Sequence, residues 1–148
     1  DPFEWAPEFS RRARGFTVWA ALRHLGRNGV ADLVERCCRH ARRFADRLAT
    51  PGRVEILNEV VLNQVLVRFT PVSAGSGGSG APGGDAAARD EYTREVIRRV
   101  QADGTCWLSG TTWRGQAAMR ISVSNWSTTE ADVDRSAAAI RRAAELPD

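Results

Sequence analysis

One guanidinium stands in a strand whose other side chains are small or apolar. Residues 117–124 read AAMRISVS, and in an extended segment successive side chains alternate between two faces. One face then carries Ala117, Met119, Ile121 and Val123; the other carries Ala118, Arg120, Ser122 and Ser124. An arginine presents a rigid fork of donors that matches a carboxylate bidentately, and small neighbours leave room for a ligand to reach it. Arg120 is thus a candidate carboxylate anchor. The same pattern equally describes a solvent-facing strand arginine, or one paired with an internal acid. Ser124 and Asn125, which follow on the chain, are candidates to line the same cleft, although Asn125 is also a common turn residue.

Other reactive groups are sparse. Cys37 and His40 lie three apart on a helical pattern, a spacing that can hold a metal, but no matching partners accompany them, so no metal site is expected. Cys37 and Cys38 diverge by about 100° on a helix and read as small buried hydrophobes. Trp107 and Trp113 read as core or domain-interface residues, with ligand stacking as the other option. All 21 basic residues are arginine; the chain has no lysine. No side chain here can therefore condense with a carbonyl cofactor.

The 148 residues are 43% hydrophobic and 26% charged, the composition of one globular domain or of a piece of something larger. No apolar run approaches the roughly 20 residues needed to span a bilayer. Three cysteines without framework spacing, and an acidic start without a signal-like apolar segment, predict a cytoplasmic protein. The net charge of +3 is spread as arginines alternating with acids along helices, which argues against a nucleic-acid surface.

Positioning Arg120 falls to a predicted order α-α-β-β-α-β-β-α. Residues 1–15 are an irregular lead-in bearing Phe3, Trp5 and Phe9. Residues 16–26 form a short apolar helix stopped by Gly26. A second helix, 30–48, buries Val34, Cys37, Cys38, Ala41, Phe44, Ala45 and Leu48. Strands follow at 54–58 and 63–70. The stretch 73–84 holds six glycines and three serines and predicts a flexible loop spanning about 20 Å. A third helix, 87–102, buries Tyr92, Val96 and Val100 and pairs Glu95 with Arg99. Strands 105–113 and 116–124 join near Arg114-Gly115, and a last helix starts at Thr129, capped with Asp132. This is an α+β domain, an antiparallel sheet of three to four strands with helices packed on it.

The segments PEFSRRARGFTVWAALRHLG (7–26) and GTCWLSGTTWRGQAAMRISVSNWSTTEADVDR (104–135) resemble the C-terminal part of the group II pyridoxal-phosphate-dependent amino acid decarboxylases, which include the glutamate and aromatic amino acid decarboxylases. The resemblance implies the small domain of the aspartate aminotransferase fold over residues 16–148. Residues 1–15 would be a linker from a large domain that carries pyridoxal 5'-phosphate and the Schiff-base lysine. It also implies a carboxy-lyase that forms a homodimer, acts on an amino acid, and uses neither nucleic acid nor membrane. Arg120 matches the family arginine that meets the substrate carboxylate. Lacking the lysine, the chain would be inactive alone, with no catalytic or cofactor-binding residue of its own. The other reading is a stand-alone module that binds a small ligand such as an amino acid.

Overall fold

The computed structural model describes Trp5, residues 12–72 and residues 84–146. The glycine-rich stretch expected as a loop lies outside them, apart from Gly84, as does most of the expected lead-in. The elements are α1 (Arg14–Leu48), β1 (Val54–Ile56), β2 (Gln64–Phe69), α2 (Gly84–Asp103), β3 (Ser109–Trp113), β4 (Gln116–Ser122) and α3 (Glu130–Ala143). The two helices expected at the start of the chain form one helical run with a break at Gly26, where φ is 63° and ψ is −175°. Only glycine takes such a conformation without a Cβ penalty, so the predicted stop is present although the helix resumes after it.

The chain divides into two compact units, residues 1–34 and 35–148. In the first, Phe16 and Trp19 stack at 6.0 Å between ring centroids. The unit covers few of its apolar side chains: Phe16, Trp19, Leu22 and Val34 are all more than half exposed. Val34, expected on the buried face, is among them.

The second unit is a four-stranded antiparallel sheet in the order β1-β2-β4-β3. Two hairpins, β1-β2 and β3-β4, meet along β2 and β4. Pairing places Val65 opposite Ile121 and Val67 opposite Met119, so these side chains share one side of the sheet with Ala117 and Val123, and all six are buried. Val96, Ile97 and Val100 of α2, Val133, Ala137 and Ile140 of α3, and Ala41, Phe44 and Leu48 of α1 complete the core. A buried Val, Leu, Ile or Phe is worth about 1.5–3 kcal/mol over its exposed state, so this layer holds the unit together.

α2 is fastened where the central strands part. The β2-β4 pairing runs only as far as Val67 and Met119. Beyond it, Phe69 N–H donates to Thr93 Oγ1 at 3.1 Å and Ala117 N–H donates to Asp90 Oδ1 at 3.1 Å. The same Asp90 oxygen receives the Arg68 guanidinium at 2.5 Å, and Arg68 also donates to the Ala86 carbonyl at 3.0 Å. Arg68 is 2% exposed. One carboxylate thus neutralises a buried cation and satisfies a strand end that would otherwise lack an acceptor. α3 begins with the predicted capping box, Thr129 and Asp132 bonding each other's backbone N–H.

Removing the carboxylate should cost more than removing the cation. Asp90→Ala strands a buried guanidinium and an amide, and should lower unfolding free energy by about 3–5 kcal/mol. Arg68→Met leaves Asp90 on Ala117 N–H and should cost clearly less. Urea titration followed by circular dichroism compares them; equal losses would show that the buried charge is not what makes the contact matter.

Candidate functional site

The register that places Arg120 is set by the β3-β4 turn. Arg114 and Gly115 both have positive φ, 49° and 79°, as a two-residue I′ turn between twisted strands requires. Trp113 then pairs with Gln116, and Ser109 falls opposite Arg120. The guanidinium donates to Ser109 Oγ at 3.3 Å. On its other flank the register sets Leu66, which is buried. Arg120 itself is exposed, as are Ser122 and Ser124. Among the described residues it has no ion pair. It projects from the side opposite Met119 and Ile121, as the alternation predicts, with its guanidinium open to a partner.

A cleft of about 350 Å³ lies at the end of β4. Ser124 and Asn125 line it, together with Cys106, Trp107 and residues of α3. Arg120 does not. Arg120 is therefore set apart from Ser124 and Asn125 in the lining, although Ser122 and Ser124 of its own strand face take part; the cleft reaches toward the helices through Phe44, Val133 and Ile140.

α1 fixes the loop that carries the cleft. Arg36 donates to the Trp126 carbonyl at 3.0 Å and His40 Nε2 donates to that of Thr128 at 3.1 Å. A carbonyl only accepts, so the proton sits on Nε2. Arg43 grips Asp134 through two bonds of 2.9 and 2.7 Å, and Arg47 adds one of 3.1 Å. Positions 36, 40, 43 and 47 lie on one helical face. Asn63 ties Val123 from the other direction, exchanging bonds of 2.8 and 3.0 Å. Within the loop, Asn125 Oδ1 accepts from Ser127, the turn role foreseen for it.

These contacts set the electrostatics. The Arg43 hydrogen bond holds the Asp134 carboxyl below its ordinary range, and Thr129 does the same for Asp132. Burial pushes the Cys106 thiol up, against a smaller opposing effect of the Ser136 hydroxyl.

Trp107 and Trp113 are not core residues. Trp107 is 79% exposed at the rim of the cleft, and Trp113 lies under the Arg114 guanidinium at 5.6 Å. Cys37 and Cys38 are buried and free. No group of three His, Cys, Asp or Glu suited to a metal occurs among the described residues, and none of their helices is long and apolar enough to cross a membrane. Two residues of the site region escaped the sequence pattern. His40 sits on the buried face of α1, a position that carried a signal. Arg68 resembles Arg120 in sequence, and its partner lies 22 residues away.

With this geometry in view, the chain can be set against known proteins. The pyridoxal-dependent decarboxylase conserved domain matches residues 1–70. Tyrosine decarboxylase 2 of Arabidopsis thaliana is 25% identical over 130 residues, 88% of this chain and 22% of that protein. This chain is similar to the pyridoxal-dependent decarboxylases. A crystal structure of Oryza sativa TDC with PLP and tryptamine superposes with a TM-score of 0.77 at 21% identity, over 94% of this chain and 28% of that one. Rhodiola rosea 4-hydroxyphenylacetaldehyde synthase does so with 0.71 at 26% identity, over 92% and 27%. The decarboxylase resemblance read from residues 7–26 and 104–135 is borne out, and so is the α+β fold. The chain spans about a quarter of the length of these relatives.

The loop clamp predicts an acid-sensitive fold. The folded-state carboxyls of Asp132, Asp134 and Glu95 titrate below their ordinary values. Their stabilisation is therefore complete above about pH 5 and lost as pH falls through the lowered values. Thermal unfolding between pH 7 and 2 should show Tm falling below pH 5, with a shallower fall in Asp134→Asn. An unchanged slope in that variant would remove Asp134 from the account.

Proposed function

We propose that this chain is the C-terminal part of a pyridoxal-phosphate-dependent amino acid decarboxylase, with residues 16–148 as its small domain and residues 1–15 as the lead-in from a cofactor-bearing domain. The observation that carries the reading is the superposition of nearly the whole chain on about a quarter of a PLP-containing relative. The exposed apolar side chains of residues 16–34 and of Trp107 and Trp126 support it, since such surface on one piece of a larger fold calls for polypeptide to cover it.

The chain offers no covalent seat for the cofactor, because it has no lysine. The bond-breaking chemistry is the cofactor's own and rests on residues supplied from outside these 148. What this chain contributes is binding and orientation. Arg120, exposed and bonded to a serine hydroxyl, receives the substrate carboxylate through its paired N–H groups and fixes the bond to be broken. Ser109 holds the guanidinium at its edge. The active site closes when this unit docks on the cofactor domain, in a cytoplasmic homodimer. The relatives' names point to aromatic amino acids as the substrate class.

Alone, the 148-residue chain should release no carbon dioxide from tyrosine, tryptophan or glutamate when supplied with pyridoxal phosphate. In the full-length decarboxylase, Arg120→Ala should lower kcat/KM by about 10- to 100-fold, the value of a hydrogen-bonded charge pair. Arg120→Lys should recover only part of this, since an ammonium cannot reproduce the fork. Steady-state kinetics at constant pH measures both; wild-type kinetics in Arg120→Ala would remove the anchor.

A further inference from the structure

The cleft at the end of β4 has the opposite charge logic to Arg120. Among the residues lining it, Asp132 alone carries a full charge, and no arginine or histidine lines it. Its Oδ2 accepts from Thr129 N–H at 2.9 Å and Thr129 Oγ1 at 2.7 Å, which fixes the carboxylate in place and keeps it ionised at neutral pH. Its Oδ1 meets Arg135 in an ion pair whose side chains are 67% and 41% exposed. Exposed pairs of this kind contribute little, so an arriving cation can displace or share it. His40 is buried and bonds the Thr128 carbonyl. Arg43 is engaged with Asp134 and Glu130.

The remainder of the cleft suits an apolar body. Leu108, Ile121, Val123, Val133 and Ile140 are buried aliphatics along it. Trp107 stands on the rim, 79% exposed, free to fold an aromatic face over an occupant and to meet a cation with it. The Ser124 hydroxyl, also on the lining, has no hydrogen-bond partner among the described residues. The volume of about 350 Å³ lies at the small end for ligand pockets, which restricts the occupant to a compact molecule. A carboxylate-bearing occupant would face Asp132 with no cation to receive it.

We propose that this cleft binds a primary ammonium carried on a short aromatic or aliphatic body, with Asp132 receiving the cation and Trp107 covering the body. The site lies at the end of β4, and Arg120 is not among its lining residues. It does not rest on the decarboxylase reading, and its failure would leave that reading standing.

The test uses the 148-residue chain and two probes of one shape, phenethylamine and 3-phenylpropionate, with titrations followed by amide and indole N–H resonances. Phenethylamine should shift Trp107 and residues 124–132 saturably, and 3-phenylpropionate should bind at least tenfold more weakly. Asp132→Asn, which keeps an oxygen for the Thr129 N–H, should weaken phenethylamine about tenfold and abolish the preference. Trp107→Ala, on an exposed rim position, should weaken it severalfold. Should Asp132→Asn not fold, the wild-type preference and Trp107→Ala decide. Equal binding of the two probes, shifts mapping elsewhere, or no saturation would each overturn the site.

Discussion

The Asp90 carboxylate is the contact on which the rest of the second unit depends. Two hairpins, each local in sequence, have to be joined edge to edge, and the strands that join them separate after only four paired positions. At the fork, one oxygen takes both a buried guanidinium from β2 and a backbone N–H from β4. Thr93, three residues on, takes the matching amide of β2. α2 is thereby locked to both hairpins at once. With α2 fixed, Val96, Ile97 and Val100 meet the sheet, β4 keeps its register, and everything carried by β4 is placed. The arrangement also explains why a long glycine-rich connection is tolerated between β2 and α2. The clip holds the ends of that connection whatever its length, and loop closure costs only slowly more as a loop grows.

Two strand arginines illustrate what a sequence can and cannot disclose. Arg68 and Arg120 both interrupt apolar strands, and alternation places each on a defined side. Their environments are opposite: one is 2% exposed and bound to a carboxylate, the other is open and bonded to a hydroxyl. The difference lies in which helix residue arrives at the fork, a tertiary fact with no local signature. Features with a local cause were legible. Gly26 breaks the helix because the backbone there needs positive φ. Thr129 and Asp132 form a capping box because their spacing lets each reach the other's N–H. Arg114 and Gly115 turn the hairpin because two residues must bend it with the strand twist. Of the two places expected for Trp107, core or domain interface, its exposure removes the core, since hydrophobicity predicts burial only on average.

His40 shows the same limit from another direction. It sits on the apolar face of α1 and looks like an imperfection in it. In the folded chain it is one of four polar side chains at a helical spacing that hold the β4-α3 loop and the start of α3. Arg36 and His40 take backbone carbonyls, while Arg43 and Arg47 take a side-chain carboxylate. Backbone ties leave the loop's side chains free, so Trp126 stays 75% exposed while its own carbonyl is held. A loop fastened by its main chain offers side chains at low entropic cost to whatever meets it.

The separation of charges across β4 follows from the pleat. Successive residues point to opposite sides, so a strand that exposes a guanidinium at Arg120 must direct Ile121 toward the helices, and the cleft beyond it opens toward α3. The cation side therefore suits an anionic group and the α3 side, with Asp132, an ammonium. Alternation thus sets Arg120 and Ile121 on opposite sides of the sheet, and of these two neighbours Ile121 lines the cleft while Arg120 does not.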